Sequence, residues 1–159
     1  MMRLAEKFYR GLIAFANLLR SPLLLLTRLY WGCQFFLSGQ GKLMDLSKPT
    51  QYFESLGIPF PHAQAILAAC TECFGGLLLL VGLATRLISV PLMILLTTAY
   101  LTADFDRVRV IFMDPDKFVT ADEFLFLFAV VILFVFGPGA FSADALIGGY
   151  FKRHEGKPA

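Results

Sequence analysis

Four long apolar runs separated by short polar segments dominate the chain. They extend roughly from Ser21 to Gly41, from His62 to Val81, from Arg86 to Ala103 and from Thr120 to Gly137. Each approaches the roughly 20 residues that carry a helix across a hydrocarbon core about 30 Å thick. None alternates with the two-residue period of a strand, and in lipid only helices and closed barrels satisfy the backbone. The pattern predicts an all-α fold, a four-transmembrane-helix bundle forming one domain over residues 1–159. Thr120-Ala-Asp-Glu123 reads as a capping box that opens the fourth helix, and Pro138 with Gly139 stops it. Pro91 is expected to kink the third, because its nitrogen carries no hydrogen and its ring crowds the preceding turn.

Three shorter elements are predicted at the membrane surface. Leu4, Phe8, Leu12, Phe15 and Leu19 recur at helical spacing opposite Arg3, Glu6, Lys7, Arg10 and Asn17, the pattern of an interfacial amphipathic helix. Ser47, Lys48 and Pro49 look like a helix start and Gly57 like its end, with Tyr52, Phe53 and Leu56 toward the bilayer. Ser142 is placed to cap a last short helix that ends in Tyr150, Phe151, Lys152 and Arg153, an aromatic and basic group suited to the interface.

Composition agrees with this picture. Of 159 residues 57% are hydrophobic and 16% charged, against about 45–50% and about 25% in soluble domains. The mean hydropathy is +0.68. A net charge of +2 gives no reason to expect a nucleic-acid partner. The first twenty residues mix charge with apolar groups and show no cleavable signal, so the first apolar run is expected to direct insertion. Lys and Arg set orientation. Arg3, Lys7, Arg10, Arg20, Arg86, Lys152, Arg153 and Lys157 fall on one side, and Lys42, Lys48, Arg107, Arg109 and Lys117 on the other. Both termini are therefore expected in the cytoplasm.

Two charges inside the apolar runs are the strongest functional signal: Arg28 in LLLLTRLYWG and Glu72 in AACTECFGGLLLL. A charge at bilayer depth is costly unless paired or wetted, and marks a site by default. With the first span rising from Ser21 and the second descending to Gly82, Arg28 would lie roughly 10 Å and Glu72 roughly 15 Å from the cytoplasmic edge. An Arg side chain covers that difference, so a salt bridge between neighbouring helices is expected. It reads either as a clasp that fixes helix packing or as part of a headgroup, anion or proton site. Gln34 and Ser38, further along the first span, extend a polar seam or hydrogen-bond between helices.

Cys70 and Cys73 form C-T-E-C around Glu72, and Cys33 lies on the first span. Redox pairs need a helix N-terminus or nearby positive charge to favour thiolate, and these lie mid-helix. Packing is the better reading, with redox chemistry the alternative. Ala65, Ala69, Cys73 and Gly76 form a small-residue stripe that favours close helix contact. His62 and His154 are the only histidines and lie where no two can clamp a haem. No zinc spacing and no phosphate-binding loop is present. The acidic group Asp104, Asp106, Asp114, Asp116, Asp122 and Glu123 matches no calcium loop and reads as a solvated surface. No metal site and no catalytic set is identifiable.

The chain resembles the DoxX family. The resemblance rests on Arg28-Leu29, Gly32, Phe36, Gly39, Lys42 and Leu43, and on Phe53, Gly57 and Pro59. It continues through Glu72-x-x-Gly75-Gly76-x-Leu78-x-x-x-Gly82-Leu83-x-Thr85-Arg86, then Gly137-Pro138-Gly139 and Ser142-x-Asp144. It covers the chain from about Pro22 to Leu146. It implies a four-helix integral protein of a bacterial inner membrane, in a family named for a subunit linked to thiosulfate:quinone oxidoreductase, with other members in redox-stress complexes. Cys70 and Cys73 are not part of the family pattern. The expected function is a non-catalytic or accessory membrane subunit with a polar site drawn from Arg28, Glu72, Gln34, Ser38 and Lys42. A quinone-linked oxidoreductase subunit and a small-molecule carrier acting as an oligomer are the alternatives. Membrane lipid, partner proteins or a second copy are the expected partners, and quinone or lipid the conceivable ligands.

Overall fold

The computed structural model describes residues 2–103, 105–109 and 114–155. Asp104 of the acidic group and Lys157 of the orientation set lie outside the described residues. All regular structure among the described residues is helical. The elements are α1 (Met2–Met44), α2 (Ser47–Ser55), α3 (Pro61–Val81), α4 (Thr85–Thr102), α5 (Phe105–Arg109), α6 (Pro115–Val119), α7 (Asp122–Phe136) and α8 (Ala143–Glu155). Three stretches are long and apolar enough to cross a membrane: Glu6–Met44, Pro61–Val81 and Thr85–Thr102. The helix of the expected fourth span has 15 residues, about 22 Å of axial length.

The breaks sit where backbone chemistry demands them. Pro61 occupies the first turn of α3, where its missing N–H costs nothing. Gly82 ends α3 in the left-handed conformation with φ 72°, and Gly137 ends α7 with φ 75°. Two sequence expectations fail locally. The N-terminal amphipathic segment and the first span are one continuous helix of 43 residues, not two elements. Pro22 removes one backbone hydrogen bond, but the helical residues on both sides carry the chain through it. Thr120 is not the N-cap of α7 either. Ala121 is the N-cap of α7, and the Thr120 hydroxyl donates to the Asp116 carbonyl at 2.7 Å, because the short α6 claims Thr120 as its own C-terminal residue.

Antiparallel α1 and α3 form one close pair, and α4 and α7 the other, with α3 joining the two. A Cβ on Gly39 would come within 2.2 Å of the Cys73 backbone nitrogen, and one on Gly76 within 2.4 Å of that of Phe36. Only glycine permits backbones to approach so closely. Ala65 and Ala69, on the same stripe, are fully buried. In the other pair Arg86, at the start of α4, donates to the Val135 carbonyl near the end of α7 at 3.3 Å, and Tyr100, near the end of α4, donates at 2.9 Å to the Phe118 carbonyl in α6, just ahead of α7. Helix α7 therefore runs antiparallel to α4 along almost its whole length.

The core is formed by Leu24, Phe35, Leu79, Leu92, Leu96, Val130 and Leu133. Phe126 joins its edge, 4.8 Å from the rings of both Trp31 and Phe35. Outward faces are equally apolar, with Leu26, Leu67, Leu87 and Ile94 all largely exposed. A surface of that kind is stable against lipid rather than water.

Adding a methyl group to the helix contact should loosen the pair. Gly39→Ala is expected to destabilise the bundle by about 1–3 kcal/mol through overpacking against the α3 backbone. Gly41→Ala, which meets nothing within 4 Å, should be neutral or mildly stabilising. Unfolding of the detergent-solubilised protein in increasing dodecyl sulfate, followed by circular dichroism, compares the two.

Candidate functional site

The α1–α3 register decides which polar groups meet. Gly39 faces Ala69 and Cys73, and Gly32 faces Gly76 and Leu80. This places Ser38 opposite Glu72 and Gly82 opposite Arg28. The expected Arg28–Glu72 salt bridge does not form. Along α1, Glu72 lies level with a residue ten positions beyond Arg28, about 15 Å further on, which no Arg side chain spans. Taking Ser21 as a fixed membrane edge produced the error, because α1 runs through that point without a break.

Glu72 instead accepts from Lys42 Nζ at 2.6 Å on Oε1 and 2.7 Å on Oε2. The Ser38 hydroxyl donates to Oε2 at 2.8 Å. Lys42 lies one helical turn beyond Ser38, so α1 presents both on one face. Glu72 is 8% exposed, and the Lys42 side chain 37%. Gln34 is exposed and stands apart from the cluster. Lys42 entered the sequence reading through the family resemblance. The signal for its partnership with Glu72 is the i, i+4 pairing of Ser38 and Lys42 on one face, legible once the α1–α3 register is known.

The cluster forms part of the wall of a cavity of about 790 Å³. Phe35 and Phe126 line it on one side, Leu67 and Ala68 on α3, Leu95, Leu96 and Ala99 on α4, and Tyr52, Phe53 and Leu56 on α2. The α2 aromatics thus face this space rather than only the bilayer. Thr98 and Thr102 also line it, but their hydroxyls donate back to the Ile94 and Thr98 carbonyls at 2.8 Å each. The α4 wall is therefore chemically apolar. Helix α2 is held by Asp45, which accepts from the Ser47 backbone N–H at 3.1 Å and from its hydroxyl. The hydroxyl bond first, then the backbone bond and Lys48, keep the Asp45 carboxyl below its ordinary value. Thr50 and His62 Nδ1, 3.3 Å apart, tie α2 to the start of α3.

Arg28 belongs to a second cluster at the other end of the bundle. It is 1% exposed and donates to the Phe141 carbonyl. A Cβ on Gly82 would overlap its guanidinium. Asp144 supplies the opposing charge and also holds the α3–α4 turn. Its carboxylate accepts from the Ala84 N–H at 2.7 Å and the Thr85 N–H at 3.0 Å, while its own N–H donates to the Gly82 carbonyl at 3.0 Å. Ala84 has φ 49°, a costly conformation for alanine that this cap offsets. Ser142 caps α8 as expected, accepting from the Ala145 N–H at 3.1 Å. The cysteines remain free thiols, Cys33 exposed and Cys70 and Cys73 half-buried. Cys73 meets Gly39 at the helix contact, which agrees with packing.

Two substitutions separate the clusters. Glu72→Ala leaves the Lys42 ammonium without its partner and should cost about 1–3 kcal/mol, less than a fully buried pair because Lys42 is over a third exposed. Asp144→Ala removes both the α4 cap and the charge facing buried Arg28 and should cost about 3–5 kcal/mol. Thermal unfolding in detergent measures both, and the double variant should be additive because the clusters are far apart.

Residues 23–104 match the DoxX family. The Inner membrane protein YphA of Escherichia coli (strain K12) is 31% identical over 126 residues, covering 79% of this chain and 90% of the relative. The Putative oxidoreductase CatD of Bacillus subtilis (strain 168) is 29% identical over 123 residues, covering 77% of this chain and 85% of the relative. No solved structure matches the chain. The matched family region contains Arg28, Ser38, Lys42, Glu72 and Gly82 together. With a homologous inner-membrane protein aligned over nine-tenths of its length and apolar helices of spanning length, the chain is a membrane protein belonging to the DoxX family.

Proposed function

We propose that the protein is an accessory, non-catalytic subunit of a bacterial inner membrane that lodges a lipophilic molecule in the cavity beside Lys42, Ser38 and Glu72. The observation that carries this reading is the cavity itself: about 790 Å³, apolar on most sides, with the hydrogen-bonded Lys42–Ser38–Glu72 cluster on its wall and Lys48 and Glu123, the latter expected from the sequence on a solvated surface, also lining it. Pockets that hold small molecules combine this size with a few placed polar groups in an apolar lining. A buried ion pair that served only as a clasp would need no such space beside it.

The topology we infer has four crossings with both termini in the cytoplasm. The antiparallel course of α7 along α4 supports the fourth crossing, and a short apolar helix is accommodated by local thinning of the bilayer. The excess of Lys and Arg at the Arg28 end of the bundle supports the orientation. The cavity then lies in the outer half of the membrane, and its occupant comes from the bilayer. A second reading is a subunit of a quinone-linked oxidoreductase; the name of the Bacillus subtilis relative supports its oxidoreductase part. In that reading the lodged molecule is a quinone.

Organic extraction of the protein purified in native lipid discs, followed by mass spectrometry, tests the reading. A lipophile distinct from the bulk lipid should be recovered at near one per chain. Ala99→Trp, which places a large ring in the cavity, should abolish its recovery while leaving helix content unchanged. Recovery of bulk lipid alone from both proteins would sink the proposal. A recovered quinone would favour the second reading.

A further inference from the structure

The Lys42–Glu72–Ser38 cluster has hydrogen-bonding capacity to spare. An ammonium has three donors, and a carboxylate has about four acceptor directions. Two Lys42 donors go to Glu72, and Glu72 accepts twice from Lys42 and once from Ser38. No other partner of Lys42 or Glu72 is present among the described residues. One donor remains on Nζ and one acceptor direction on Oε1, and these two atoms are 2.6 Å apart. Both belong to residues that line the cavity. Elsewhere in the lining the α4 hydroxyls are turned back on their own helix and Lys48 pairs with Asp45 at 3.8 Å, while Gln64 and Glu123 are the remaining polar lining residues.

Resting on the reading that the cavity holds a lipophile, we infer that its occupant carries a hydroxyl group that bridges Lys42 Nζ and Glu72 Oε1. A hydroxyl both donates and accepts. It gives its proton to the vacant carboxylate direction and receives the third ammonium hydrogen. A carbonyl or ether oxygen accepts from Lys42 but offers nothing to Glu72, leaving a charged acceptor desolvated beside the oxygen's own lone pairs. Leaving a buried charged group without its partner is the costly case, and sites built around a hydroxyl reject analogues that lack it far more strongly than apolar pockets reject a missing methylene. The cavity therefore selects alcohol- or phenol-headed lipophiles over ketone- or ether-headed ones. For a ring that interconverts between the two, it holds the reduced, hydroxylated form.

The test uses two probes that differ in one group, 4-octylphenol and 4-octylanisole, with the full chain in lipid discs. Trp31 is the only tryptophan and packs edge-on against Phe126, which lines the cavity, so its fluorescence reports occupancy. Partition into empty discs is subtracted. The phenol should bind at least about tenfold more tightly than the anisole, the effect of one hydrogen bond to a charged group. Glu72→Gln should shrink the difference to about threefold or less, because the amide is no longer a charged acceptor. The wild-type comparison stands even if that variant fails to fold. Equal affinity for the two probes overturns the hydroxyl bridge and leaves the lipophile cavity intact. Binding of neither probe, or binding that Ala99→Trp does not weaken, overturns the cavity reading itself.

Discussion

The close contact between α1 and α3 is the constraint on which the rest depends. Gly32, Gly39 and Gly76 let the two backbones meet with no side chain between them. Such a contact has no tolerance for sliding, because any shift brings a Cβ against a backbone atom. The register is therefore set to the residue. From it follow both polar clusters: Ser38 and Lys42 reach Glu72, and Arg28 reaches the α3–α4 turn at Gly82. Lipid supplies no hydrophobic force to pull helices together, so tight van der Waals contact and interhelical hydrogen bonds carry the association.

The two clusters solve different problems. Arg28 and Asp144 fasten the α8 end to the turn between α3 and α4, and their partners are mainly backbone groups. Backbone partners fix geometry, although the buried Arg28 Nε and Nη1 have no hydrogen-bond partner among the described residues. Glu72 and Lys42 are paired by side chains at the edge of a large cavity, and their pairing leaves one donor and one acceptor over. Burying a charged pair is favourable only when its remaining hydrogen-bonding capacity is met. The first cluster ties helix ends to backbone groups, and the second is a side-chain pair on a cavity wall.

Helix α2 forms one wall of the cavity. It is short and amphipathic, and Tyr52, Phe53 and Leu56 turn toward the bundle. Its attachment is polar and lies at its start, through Asp45, Ser47, Thr50 and His62.

The apolar runs alone determined that the chain is helical and membrane-embedded, since their length and lack of alternation leave no other backbone solution in lipid. Gly57, Gly82, Gly137 and Ser142 were legible as ends and caps for the same local reason. The small-residue stripe through Ala69, Cys73 and Gly76 was legible as a contact face, and it is one. Pairing was not legible, because depth counted from an assumed membrane edge at Ser21 fails when α1 continues unbroken through Pro22. Thr120 went to α6 for a local reason, its hydroxyl donating to the Asp116 carbonyl four residues back. Only the tertiary structure decided that Arg28 and Glu72 belong to separate sites. Only it brought Lys42 to Glu72 and opened a cavity beside them, because interhelical register is set by contacts between residues thirty or more positions apart.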